Sequence, residues 1–91
     1  MSRETRTSIR NLLINGDIRK AEASIARLLR AELSRQEEAE TLTLRARARL
    51  LAARPEEALD DITAAGSKTD SPALLAELLE VRPRGARGLQ Q

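Results

Sequence analysis

The stretch Ser34-Arg35-Gln36-Glu37-Glu38-Ala39-Glu40-Thr41-Leu42-Thr43-Leu44-Arg45-Ala46-Arg47-Ala48-Arg49-Leu50-Leu51 decides the fold. Its opening, Ser34-Arg35-Gln36-Glu37, is a capping box: the serine oxygen accepts one orphan amide and the glutamate reaches back to the serine's own N–H. Beyond that start the apolar residues form two sets. At about 100° per residue, Ala39, Leu42, Ala46, Leu50 and Ala53 fall within about 80° of one another, and Leu44, Ala48 and Leu51 cluster on nearly the opposite side. A helix with two apolar faces buries both only between two neighbours, and its small alanines let those neighbours come close. The segment is therefore expected to lie between layers, with Leu44, Ala48 and Leu51 under one neighbour and Leu42, Ala46 and Leu50 under another.

On the N-terminal side, a first helix starting near Ser2 or Thr5 carries Ile9, Leu12 and Leu13 at i, i+3, i+4, with Ile14 beside them. Asn15-Gly16 stops it, and Asp17 is placed to cap the next helix. That second helix lines up Ile18, Ala21, Ile25, Leu28, Leu29 and Leu33 and is expected to run to about Glu32. On the C-terminal side, Arg54-Pro55-Glu56-Glu57 reads as a break and a fresh start, with proline at the first helical position and two acids facing the positive dipole end. The fourth helix buries Ala58, Leu59, Ile62 and Ala65 and ends at Gly66. After a polar loop, Ser71 caps and Pro72 opens a fifth helix with Leu74, Leu75, Leu78 and Leu79 on one face. Residues 1–81 are read as one helical domain and 82–91 as a basic disordered tail.

Composition agrees with an all-α reading. Fifteen Leu, fifteen Ala, five Ile and one Val favour helix over strand. The apolar runs, such as Leu12 to Ile14, Leu50 to Ala53 and Ala73 to Ala76, are far short of the roughly 20 residues that span a bilayer. No secretory signal stands out, and the cytoplasm is the default compartment. Met1 to Ile14, with Arg3, Arg6 and Arg10, imitates an organellar transit peptide, but its apolar stripe is equally that of a structural helix.

With no Cys, His, Phe, Tyr or Trp, the chain has no imidazole base, thiolate nucleophile, Cys/His zinc site or aromatic stacking platform. Of the 16 basic side chains, Arg82, Arg84 and Arg87 lie in the tail, so residues 1–81 hold 13 basic against 14 acidic. A nearly neutral folded part argues against groove binding to DNA.

Sliding the chain on itself by 37 residues pairs Arg10 with Arg47, Leu13 with Leu50, Ala21 with Ala58 and Ile25 with Ile62, while Ile14 meets Leu51. The match keeps the turn in place and pairs two Ala-x-x-x-Ile motifs on second helices. In these residues the chain resembles the tetratricopeptide (TPR) repeats over residues 5 to 66, with the fifth helix as a partial third repeat or cap. Ala21/Ile25 and Ala58/Ile62 are similar to that family's small residue and following groove-filler. Asn15-Gly16-Asp17 looks like its inter-helix turn, and Ala46 and Ala65 suit two further small positions. The chain departs from the family where aromatic positions hold Thr5, Leu12, Ile25, Leu42, Arg49 and Ile62. It departs also in a period of 37 rather than about 34, and in lacking the repeat-end prolines. The resemblance implies antiparallel hairpins stacked as a short right-handed array. A plain bundle of helical hairpins is the alternative.

Arg45, Arg47 and Arg49 do not make one patch: on a helix Arg45 and Arg49 share a flank and Arg47 lies with Arg54 on the other. Forked guanidinium groups suit carboxylate or phosphate capture, whereas the plainer reading is pairing with neighbouring acids. Glu56, Glu57, Asp60 and Asp61 put four carboxylates in two turns, but a rigid helix does not wrap a cation, and Glu57 and Asp61 read as i, i+4 neighbours on an exposed face. No catalytic, metal or cofactor residue is assigned, and no cofactor or enzymatic activity is expected. The arginines of the tail are too few for more than weak contact with an anion.

The resemblance implies a protein–protein interaction scaffold that takes a protein or peptide partner, with Arg6, Arg10, Arg45 and Arg49 on its concave first-helix surface. The alternative is a self-assembling subunit (ring, filament or homodimer), because about two and a half repeats leave an end to cover; Leu74, Leu75, Leu78 and Leu79 would make that contact. A small Arg-rich nucleic-acid accessory protein is the lesser alternative. No membrane partner is expected.

Overall fold

In the computed structural model, which describes residues 6–82, the chain is all-α, with no strand among the described residues. The helices are α1 (Arg6–Ile14), α2 (Ile18–Leu29), α3 (Arg35–Leu51), α4 (Pro55–Gly66) and α5 (Pro72–Val81). The expected earlier start of α1, the Arg3 side chain and the tail beyond Arg82 lie outside the described residues. No helix among the described residues is long and apolar enough to cross a membrane.

Local chemistry sets the helix starts. Ser34 Oγ accepts the Glu37 amide at 3.1 Å and the Ser34 N–H donates to Glu37 Oε1 at 3.0 Å, completing the capping box. The bond from the Ser34 N–H holds the Glu37 carboxyl below its usual range, against some desolvation and helped by the Ser34 hydroxyl and the Arg6 charge. Ser71 repeats the cap on α5, its Oγ accepting the Leu74 amide at 3.3 Å, and Pro55 and Pro72 each open their helix. Asp17 stands at the start of α2, but its side chain makes no capping bond, contrary to expectation.

Both turns inside the helix–turn–helix units have the same construction. After α1, the Gly16 N–H donates to Leu13 O at 3.1 Å and the Asp17 N–H to Leu12 O at 2.8 Å, with Gly16 at φ +84°. After α3, the Ala53 N–H donates to Leu50 O at 3.0 Å and the Arg54 N–H to Arg49 O at 2.7 Å, with Ala53 at φ +63°. These are two Schellman closures, the second with alanine where glycine is usual. They also end α1 and α3 at residues 37 apart, Ile14 and Leu51, and α2 and α4 begin and end 37 residues apart as well.

Helix α3 touches all four other helices, while no Cα of α1 or α2 comes within 8 Å of α4 or α5. Its two apolar faces are separately covered. Leu44 and Ala48 pack with Ile9 and Leu13 of α1 and Ala21 and Ile25 of α2. On the other side Ala39 and Leu42 meet Ala65, Leu74 and Leu78, and Ala46 meets Ala58 and Val81 with Leu50 beside them. Two threonines are buried within this helix as well, their hydroxyls donating to carbonyls one turn back: Thr41 to Glu37 O and Thr43 to Ala39 O, each at 2.8 Å.

Three expectations need correction. Leu51 is 55% exposed instead of joining Leu44 and Ala48, because it is the last helical residue of α3 and lies level with Ile14, where α1 also stops. Helix α2 ends at Leu29, short of Glu32: the Arg30 and Ala31 amides turn back to Arg27 O and Leu28 O, which frees the chain to reach extended Ser34 and leaves Leu33 outside the helix. Helix α4 ends at Gly66, as its sequence predicts. The four leucines of α5 split, Leu74 and Leu78 facing inward with Val81 and Leu75 and Leu79 outward, since one neighbouring layer covers only about half of a helix.

The left-handed Ala53 is worth testing against Gly16, whose Cβ position is empty of neighbours within 4 Å, so that only backbone strain is at stake. Gly16→Ala is expected to lower stability by about 1 kcal/mol, and Ala53→Gly to leave it unchanged or raise it by up to about 1 kcal/mol, read from urea midpoints at constant slope. A larger loss from Ala53→Gly than from Gly16→Ala would contradict the shared turn geometry.

Candidate interaction surface

Three helices, α1, α3 and α5, line one side of the molecule, and two adjoining hollows run along it. The first is mixed in character, with Arg6, Arg10, Gln36, Glu40 and Glu77 at its walls beside Leu44 and Leu74. The second, of about 450 Å³, is mainly apolar, with Leu13 and Ile14 from α1, Leu50 and Leu51 from α3 and Val81 from α5, edged by Arg10, Arg47 and Glu80. Ile14 is 74% exposed there and faces the same hollow as Leu51. Large apolar side chains gathered at a hollow with a charged edge differ from apolar residues scattered singly over a surface.

Ion pairs stitch the polar part. Arg6 Nε lies 2.8 Å from Glu40 Oε1, and Gln36 Nε2 donates to the other Glu40 oxygen at 3.1 Å. Glu77 of α5 receives Arg47 from α3 at 2.8 Å and Arg10 from α1 at 3.7 Å. Glu77 thus ties three helices together, and Arg10 is the looser of its two cations, with half of its side chain in solvent. Such partly exposed pairs contribute about 0–1 kcal/mol each and exchange readily with an incoming anion.

The four arginines expected on one surface do not converge. Arg6 and Arg10 line the α1–α3–α5 side. Arg45 and Arg49 point to the other side of α3, where Asp61 of α4 holds both: Arg45 Nη2 donates to Oδ1 at 2.9 Å and Arg49 Nη1 to Oδ2 at 2.9 Å. Asp61 is only 2% exposed, so the acid expected on an open face is the buried anchor of two guanidinium groups, turned away from exposed Glu56 and Asp60. Its position answers to buried Ser24 of α2, 37 residues earlier. Arg54 also lies on this side, not with Arg47, because the left-handed Ala53 turns the chain back; its Nη2 meets Glu22 Oε2 at 2.6 Å.

Among the self-association residues expected on α5, Leu74 and Leu78 are covered within the chain, and Leu75 (40% exposed) and Leu79 (69% exposed) are outside. The sequence offers no reading of Ile14, Leu51, Glu77 and Glu80 as surface residues of a binding site, and it places Arg47 on a flank beside Arg54 rather than at this hollow. The signal for two of them was present: Ile14 and Leu51 are repeat equivalents, each the final helical residue before a turn. No group of three or more acidic side chains among the described residues is arranged to hold a metal ion.

Replacing the buried anchor separates structural from surface arginines. Asp61→Asn, which takes the buried carboxylate from Arg45 and leaves Arg49 only the more distant Glu57, is expected to lower unfolding free energy by about 1–3 kcal/mol, while Asp60→Asn stays within about 0.5 kcal/mol of the parent. Urea titration of the two variants measures this, and equal effects would show that Arg45 and Arg49 do not depend on Asp61. No protein-family model matches the chain, and no curated protein or solved structure matches it.

Proposed function

We propose that the chain is a non-enzymatic interaction module of TPR-like type, which binds a protein or peptide segment along the side shared by α1, α3 and α5. The observation that carries this reading is the pair Ile14 and Leu51, exposed at one hollow beside the loosely held Arg10. The repeated helix ends and turns support the repeat: two helix–turn–helix units in register at 37 residues, packed side by side through α3, are what a short solenoid needs. In such an array the first helix of each unit lines one face, and here α1, α3 and α5 hold that place.

The surface suits an amphipathic segment. Leucine- or isoleucine-sized side chains would fill the hollow between Ile14, Leu51 and Val81, and a carboxylate on the segment would compete with Glu77 for Arg10. Arg45 and Arg49 have no part in binding under this reading, since Asp61 consumes their hydrogen-bonding fork from within.

Selection of peptides from a random library on the intact chain tests the reading. Selected peptides are expected to combine apolar residues with an acid and to bind Ile14→Arg and Leu51→Arg variants at least about tenfold more weakly, with thermal stability unaltered because both positions are exposed. Failure to select any binder, or binders that tolerate both substitutions, would overturn it.

A further inference from the structure

The outer face of α5 is a second apolar surface, on a different side from the hollow of Ile14 and Leu51. Pro72, Leu75, Ala76 and Leu79 are all exposed along it, with no charged residue among them. Beside it, Leu59, Ile62 and Thr63 of α4 and Leu75, Leu78 and Leu79 of α5 line a further hollow closed by Arg82. The register of 37 residues says what this face corresponds to. Ala76 and Leu79 stand where α3 has Ala39 and Leu42, which α4 and α5 cover almost completely. Helix α5 thus presents bare the face that α3 has packed. A ten-residue helix apolar on its inner and outer sides is one whose burial is incomplete.

We infer that this face is covered by a second copy of the chain, with α5 packed antiparallel on α5 of the partner across a two-fold axis near Ala76. Three observations select this occupant. Residues 83–91 offer one large apolar side chain, Leu89, among prolines, glycines and arginines, too little to fill the face. At the other end of the fold Thr7 and Asn11 of α1 and Arg19, Lys20, Ala23 and Ala26 of α2 are exposed, a mixed surface with no leucine-sized side chain among these to meet Leu75 and Leu79 head to tail. The charges fit the two-fold arrangement: with Ala76 of one copy against Ala76 of the other, Leu75 and Leu79 of the two copies interleave and Arg82 at the end of one α5 comes level with Asp70 at the start of the other. Both are exposed, and neither has an ion-pair partner among the described residues. A two-fold contact pairs them twice, whereas a parallel one sets like against like.

A single helix of about 15 Å supplies a small interface, at the low end for specific association, so the dimer is weak, dissociating in the range of about 10–100 μM. The contact uses neither Ile14 nor Leu51 and stands independently of the proposed binding surface.

Sedimentation equilibrium of the full chain from about 1 to about 500 μM, with two variants, tests the inference. The mass is expected to rise from 10.0 kDa to twice that value. Leu79→Glu should stay monomeric over the whole range, its helical circular dichroism unaltered. Because the chain has no cysteine, Ala76→Cys introduces one thiol, and mild oxidation above the dissociation constant should give a 76–76 disulfide dimer. A parent chain that stays monomeric, a dimer that survives Leu79→Glu, or open-ended growth without the 76–76 cross-link would each overturn it.

Discussion

Two alanines of one helix, Ala46 and Ala48, are wholly buried on nearly opposite sides of α3. Everything else in the molecule follows from that constraint. A helix can be packed on two sides only where its side chains are small enough for both neighbours to approach and where its remaining polar groups are satisfied without water. Here Thr41 and Thr43 meet the second condition by bonding back to their own helix. The apolar burial is divided among three modest clusters that all include α3 residues, and the helix pairs on its two sides meet at their margins, through Leu29 and the Arg10–Glu77 pair. Each large apolar side chain buried this way stabilises the fold by about 1.5–3 kcal/mol, which makes the shared helix the common support of both layers.

The same constraint sorts the charges. Arginines that alternate with the alanines, Arg45, Arg47 and Arg49, must leave α3 along the seams between its neighbours. Along one seam Arg45 and Arg49 meet a buried aspartate, and along the other Arg47 meets Glu77, which also takes Arg10. The first seam is closed and structural. The second is open, half in solvent and continuous with a hollow that keeps Ile14 and Leu51 uncovered, and for this reason the binding surface is assigned there. The self-association proposed through α5 draws on a separate observation: the outer face of α5 keeps the apolar character of an inner one.

Much of this was legible in the residues. The capping box at Ser34, the proline starts and the two apolar sets of α3 all act locally, through hydrogen bonds and periodicity that short stretches of chain determine. The register of 37 was visible too, and the structure repeats it in helix ends and in the two turns. What could not be read was depth. Leu51 shares a stripe with Leu44 and Ala48 but lies beyond the end of the helix that covers them, and Asp61 reads as a surface acid until α3 places two arginines over it. The inner and outer leucines of α5 looked alike because a helical wheel shows direction without showing how far a neighbour extends. The left-handed Ala53 was hidden by its residue type, since nothing in an alanine announces a positive φ.

Native-state hydrogen exchange, followed amide by amide in the full chain, tests most directly whether α3 is the shared support. The account predicts that amides from Thr41 to Ala48 are the slowest to exchange and open only with global unfolding, while those of α1 and α5 exchange through smaller, separate openings. Exchange in the middle of α3 as fast as in α1 or α5 would contradict it.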